Sequence, residues 1–177
     1  MHKDRDKDND NNKDRDRDRD RDKEKDKRQP KTPIRLLIVD DHPVVRAGLS
    51  SMLGKQPRLT LVGAAAGAEE ALALLKQCPA DVVLLDLRMP KISGIEALQS
   101  LRRLPSPPQV IILSSFDFEE EIYRAVQAGA RGYLLKETSC DEIVAAIVAA
   151  TFSADVTKVA IAKTAATDAI RTIVKDS

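Results

Sequence analysis

An α/β fold built on a doubly wound parallel sheet is what this chain predicts, and three features carry the prediction. Short apolar runs recur at about 34–39, 59–65, 81–85, 109–113 and 132–135. Segments with apolar residues at helical spacing separate them. Four of the runs end on polar side chains: Asp40-Asp41, Asp86, Ser114 and Lys136. Short apolar runs bounded by turns and alternating with helical patterns are the signature of buried parallel strands joined by crossover helices. Such a sheet brings the carboxyl ends of all its strands to one edge, where open α/β folds bind their ligands.

Each element has its own warrant. The first strand is followed by a helix over 43–53, with Pro43 at its first position, where a missing N–H costs nothing. Val45, Leu49, Met52 and Leu53 form its inward face. After the second strand, 68–77 reads as a helix burying Ala71, Leu72 and Leu75. The third helix follows Gly94, read as a turn position, buries Ile95, Leu98 and Leu101, and stops before Pro105. A fourth helix spans 118–128; Glu119, Glu120 and Glu121 suit the positive end of the helix dipole, and Gly129 ends it. The fifth starts near Cys140, with Ile143, Val144, Ile147 and Val148 inward.

Composition narrows the function classes. The chain has 177 residues, 42% of them hydrophobic but only 3% aromatic, so aliphatic side chains fill the core. The net charge of +1 conceals an uneven layout. Residues 1–31 hold 13 basic and 11 acidic side chains, leaving 16 against 17 in the rest. Neither part is basic enough to imply nucleic-acid binding from charge alone. Strict Asp-Arg alternation from Asp14 to Asp22 offers nothing to bury, so 1–33 is expected to be a disordered charged arm. Cys78 and Cys140 stand alone, in no metal or redox spacing, which suits a cytoplasmic protein. No stretch approaches the ~18 apolar residues of a membrane span.

The carboxyl edge of the sheet would collect three carboxylates, a hydroxyl and an ammonium. Clustered carboxylates repel one another and raise a pKa unless a cation joins them. Hard Mg²⁺ takes one or two carboxylates together with waters and phosphate oxygens. Asp86 can act as a nucleophile toward phosphorus, and Lys136 can neutralise phosphoryl oxygens as a point charge. The set therefore reads as a Mg²⁺ and phosphoryl site. Taken singly, Asp40 or Asp41 would be a helix cap, Ser114 a turn former, Lys136 a solvated cation and Tyr133 a half-buried strand residue; convergence on one edge reverses those odds. His42, alone at the start of the first helix, is expected in a surface or capping role.

With these residues in hand, 34 to about 150 resembles the receiver domain of two-component response regulators, most closely the NarL/FixJ type. The stretches that carry the resemblance are Leu37-Ile38-Val39-Asp40-Asp41-His42-Pro43-Val44-Val45-Arg46, Asp81 to Pro90, and Gly129 to Glu137. The resemblance implies a flavodoxin-like five-stranded sheet of order 2-1-3-4-5 and a phosphoacceptor at Asp86. It implies Mg²⁺ held directly by Asp41 and Asp86, through water by Asp40, and by the Arg88 backbone carbonyl, with the Arg88 side chain turned outward. Ser114 and Tyr133 would form the switch: the hydroxyl turns toward the new phosphoryl group, and the tyrosine moves from exposed to buried. A histidine kinase or phosphotransfer protein would be the donor, and transcription regulation the wider setting. The protein would be no enzyme beyond its own aspartyl phosphorylation and dephosphorylation. Ser93 stands where an Asp is common in the family, and Lys91 where a Gly is frequent.

Two rival functions are weaker. A haloacid dehalogenase-type phosphatase needs a second Asp two residues after its nucleophile, and Arg88 occupies that position. Nucleotide hydrolysis lacks its phosphate-binding loop after the first strand. A degenerate receiver serving only as a protein-binding module is opposed by the intact acid pair, Asp86 and Lys136. Only 27 residues, 151–177, follow the receiver, too few for the usual helix-turn-helix module, so DNA binding is not expected of this chain alone. The spacing of Val156, Val159, Lys163, Ala166, Ile170, Ile173 and Val174 predicts one amphipathic helix, packed on the receiver or against a second copy in a homodimer. The alternative is an aberrant end left by truncation.

Overall fold

The computed structural model describes residues 32–152 and 160–161. Strands β1 (Ile34–Val39), β2 (Leu59–Ala65), β3 (Val82–Asp86), β4 (Gln109–Ser114) and β5 (Gly132–Leu135) alternate with helices α1 (Pro43–Leu53), α2 (Ala68–Gln77), α3 (Gly94–Arg102), α4 (Glu119–Gln127) and α5 (Cys140–Phe152). All pairings are parallel, and the five strands lie in the order β2-β1-β3-β4-β5. The expected flavodoxin-like fold is therefore the one formed.

The side-chain alternation of a strand builds two cores, one on each face. Leu37, Val39, Val83, Leu85, Val110, Ile112 and Tyr133 point to the face covered by α2, α3 and α4. Leu36, Ile38, Val82, Leu84, Ile111, Leu113 and Leu134 point to the face covered by α1 and α5. Burial on both faces is why these strands read as continuous apolar runs and not as alternating ones. Pro43 does occupy the start of α1, and the acidic first turn of α4 is present.

Some details differ from the sequence reading. β3 begins at Val82 and takes in Asp86. Asp81, just before it, still joins both neighbouring strands, its N–H donating to the Arg35 carbonyl and its own carbonyl accepting from the Gln109 N–H. β4 likewise extends to Ser114. Of the tail expected to be helical, Thr151 and Phe152 continue α5, whereas Ala160–Ile161 form a short strand, β6, parallel to the edge of β5. The other residues of the predicted amphipathic helix, and the charged arm up to Lys31, lie outside the described residues.

Two positions explain how the loops beside the carboxyl edge hold their shape. Helix α3 begins with a capping box: the Ser93 hydroxyl accepts from the Glu96 N–H, and the Glu96 carboxylate accepts from the Ser93 N–H. Gly94 is packed so closely that a Cβ there would stand 2.6 Å from the Asp86 carbonyl oxygen and 2.6 Å from Leu87 Cα. Its role is close approach of backbone to backbone as much as turning.

Candidate functional site

Four strand ends supply the site. At the end of β1, Asp40 is buried, and its Oδ1 accepts from the His42 N–H at 2.8 Å. Its backbone is fixed from both sides, by its own N–H donating to Ala65 and by the Arg46 guanidinium donating to its carbonyl oxygen at 2.6 Å. Asp41, half-buried beside it, has one buried carboxylate oxygen, Oδ1, that accepts no hydrogen bond. The His42 imidazole faces that oxygen, with Nδ1 at 3.0 Å. His42 occupies the N-cap position of α1, but its side chain makes no capping bond.

Asp86 closes β3, buried and doubly held. Its Oδ1 accepts from the Arg88 N–H at 3.2 Å, and its Oδ2 from Lys136 Nζ at 3.0 Å. Lys136 Nζ also lies 2.7 Å from Asp40 Oδ2, so one ammonium from the end of β5 bridges the carboxylates of β1 and β3. Burial raises the Asp86 pKa, and the nearby Asp40 charge adds to it, against the opposing hydrogen bonds from Lys136 and the Arg88 N–H. Burial pulls the Lys136 ammonium down, but its two carboxylate partners outweigh this and hold it above its ordinary value.

The site fits a dication. Three carboxylates against one ammonium leave a formal charge of −2 at the edge. Ligand atoms of Asp40, Asp41, His42 and Asp86 all lie within 4.8 Å of one another, and among the described residues the buried Asp41 Oδ1 accepts no hydrogen bond.

Ser114 and Tyr133 are joined here. Ser114, fully buried at the end of β4, accepts from the Phe116 N–H at 3.2 Å and is hydrogen-bonded to the Tyr133 hydroxyl. Tyr133 in turn donates to the Phe116 carbonyl at 2.8 Å. The tyrosine is buried, so the structure holds it in the inward position. Burial raises its pKa, with the Ser114 hydrogen bond acting against it.

The Arg88 side chain is exposed, as expected, but it is far from idle. Its guanidinium pairs with Glu121 on α4 at 2.8 Å and lies 4.1 Å from the centroid of the Phe116 ring, which stacks on Phe118. Sequence reading missed this bridge between the β3–α3 and β4–α4 loops. The signal available was two aromatic residues in an otherwise polar loop.

These features, a phosphoacceptor-like aspartate between an acid pair and a lysine on a 2-1-3-4-5 sheet, agree with the match of residues 36–148 to the response regulator receiver domain. The chain belongs to that family of two-component signalling modules. It is 41% identical over 117 residues to the transcriptional regulatory protein LiaR of Bacillus subtilis, covering 66% of this chain and 56% of LiaR. It is 40% identical over 120 residues to the transcriptional regulatory protein YxjL of the same organism, covering 68% of this chain and 55% of YxjL. Among solved structures, a LuxR-family two-component response regulator from Aurantimonas superposes with a TM-score of 0.67 at 27% identity, covering 82% of this chain and all of that one. The chain thus spans about half the length of the curated relatives it matches. Receivers of this family act in phosphorelay signalling, generally without enzymatic activity of their own, and bind Mg²⁺ at an acidic aspartate cluster. No helix among the described residues is long and apolar enough to cross a membrane.

Proposed function

We propose that this chain accepts a phosphoryl group on Asp86 from a histidine kinase or phosphotransfer protein and converts the event into a changed protein-interaction surface. The observation that carries the reading is the Lys136 ammonium, held between Asp86 and Asp40 at the carboxyl edge of the sheet. Attack of an Asp86 carboxylate oxygen on phosphorus forms a P–O bond and breaks the P–N bond of a phosphohistidine donor, whose imidazole leaves with the bonding electrons. Lys136 pairs with the charge on the transferred group. Asp41, Asp86 and the Arg88 carbonyl would hold Mg²⁺, with Asp40 acting through water. The ion, when bound, neutralises charge on the reacting oxygens.

The coupling to a surface change rests on Ser114. Its hydroxyl is engaged with Tyr133, and a phosphoryl oxygen on Asp86 is a stronger, charged acceptor for the same donor. Turning the hydroxyl toward that oxygen alters the Ser114–Phe116–Tyr133 set, and with it the surface around α4 and β5. Transcription regulation and pairing with a second copy extend this reading. The test is incubation with Mg²⁺ and acetyl phosphate followed by intact mass measurement. A gain of one phosphoryl mass is expected, absent without Mg²⁺ and absent in Asp86→Asn; label persisting on another residue overturns the assignment. Ser114→Ala should phosphorylate yet leave the Tyr133 ring resonances unmoved by a beryllofluoride mimic.

A further inference from the structure

The metal-ready cluster has a fourth member of a different chemical kind, the imidazole of His42. We infer that His42 is a nitrogen donor at this site and that it tilts metal preference from Mg²⁺ toward first-row transition dications such as Co²⁺; the inference rests on the metal reading given above. The ring stands where a ligand would stand. The His42 N–H is tied to Asp40 Oδ1 and its carbonyl to the Arg46 N–H, so the backbone is pinned beside the carboxylates. Nδ1 then lies 3.0 Å from Asp41 Oδ1 and 3.5 Å from Asp40 Oδ1. Capping of α1 makes no demand on the ring.

Size and mobility are also favourable. Ligands about 2.1 Å from an ion stand about 4.2 Å apart across it, so a cluster spanning 4.8 Å needs to close by only a few tenths of an ångström. The His42 side chain is 64% exposed, so it can adjust without repacking the core. Donor chemistry sets the selectivity. Oxygen ligands suit Mg²⁺, which gives up water reluctantly, whereas imidazole strengthens binding of Co²⁺, Ni²⁺ and Zn²⁺. Three carboxylates alone would leave the site an ordinary oxygen cage. Adding one imidazole makes it a mixed nitrogen and oxygen site.

The full chain, carrying His2→Ala to remove the other histidine, would be titrated separately with Mg²⁺ and Co²⁺ by calorimetry. Co²⁺ binding would also be followed by its visible spectrum and by paramagnetic shifts of the His42 ring. His42→Ala should weaken Co²⁺ binding by about tenfold or more while leaving Mg²⁺ within about twofold. His42→Gln, which keeps a polar partner for Asp41 but is a poor nitrogen ligand, should behave like His42→Ala. Equal weakening of both ions, unchanged Co²⁺ affinity, or full retention in His42→Gln overturns the inference while leaving the Mg²⁺ reading intact. Failure of the His42-containing protein to bind either ion overturns both.

Discussion

Strand β3 is flanked by a carboxylate at each end, and the two have opposite fates. Asp81, just before the strand, meets one guanidinium and is fully matched. Arg35 donates to it from its backbone N–H at 2.8 Å and from two side-chain nitrogens at 3.1 and 2.7 Å. The Asp81 pKa is lowered, chiefly by the Arg35 side-chain hydrogen bond. Asp86, five residues on, shares one ammonium with a second carboxylate, and burial raises its pKa. Asp81 is thus electrostatically matched, and the carboxyl edge around Asp86 is left with surplus negative charge. The first arrangement stabilises a fold; the second is the kind of perturbed cluster that gathers at functional sites.

The contrast can be broken most completely at Asp86, the proposed nucleophile. Asp86→Asn should abolish acetyl phosphate labelling while Asp81→Asn leaves it intact, as intact mass reads directly. Next in size is the backbone that carries Asp86. Gly94→Ala should cost about 3 kcal/mol in urea unfolding, because its Cβ meets the backbone of Asp86 and Leu87, which cannot swing aside. Lys136→Ala should cost about 2 kcal/mol in metal-free protein by leaving Asp40 and Asp86 without their shared cation. Added Mg²⁺ should recover part of that loss, and a deficit unaffected by the ion would contradict the shared-charge account.

The smallest effect sharpens the comparison by its sign. The Arg35–Asp81 pair is partly exposed, so Asp81→Asn should lower stability by no more than about 1 kcal/mol at neutral pH. A lowered carboxyl pKa contributes stability that is present above the ordinary value near ~4 and lost as pH falls through the lowered one. The difference between wild type and Asp81→Asn should therefore shrink in acid. A raised carboxyl pKa works the other way: ionised Asp86 subtracts stability above its ordinary pKa. Asp86→Asn should then raise the metal-free melting temperature at neutral pH. Melts of both variants from pH 3 to 7 check the two signs together.

Much of this architecture is written locally. Strands β1, β2 and β5 and helices α1 and α2 follow from apolar runs, from Pro43 and from turn residues, because those signals act within a few positions of themselves. The convergence of Asp40, Asp41, Asp86 and Lys136 was legible for a related reason: parallel topology brings strand ends together wherever the strands are correctly found. The contacts that escaped reading are those between residues far apart in sequence. Arg88 meets Phe116 and Glu121, and Arg35 meets Asp81, across gaps no local pattern reports. The capping boxes at Ser93–Glu96 and Ser139–Glu142 are the local exceptions, carried by a three-residue spacing that the sequence does display. Lys91 shows why its position favours glycine: its φ is 73°, a left-handed conformation that costs a non-glycine residue about 1–2 kcal/mol.

The inward tyrosine gives the molecule a built-in optical reporter. The chain has two tyrosines and no tryptophan, so all its long-wavelength ultraviolet emission comes from Tyr123 and Tyr133. Tyr123 is exposed on α4 and is open to replacement by phenylalanine. What remains is a single chromophore, sealed from solvent and bonded to the Phe116 carbonyl. Its quenching by acrylamide, followed by stopped flow after adding acetyl phosphate, would show whether and how fast that loop rearranges, with no label attached to the protein.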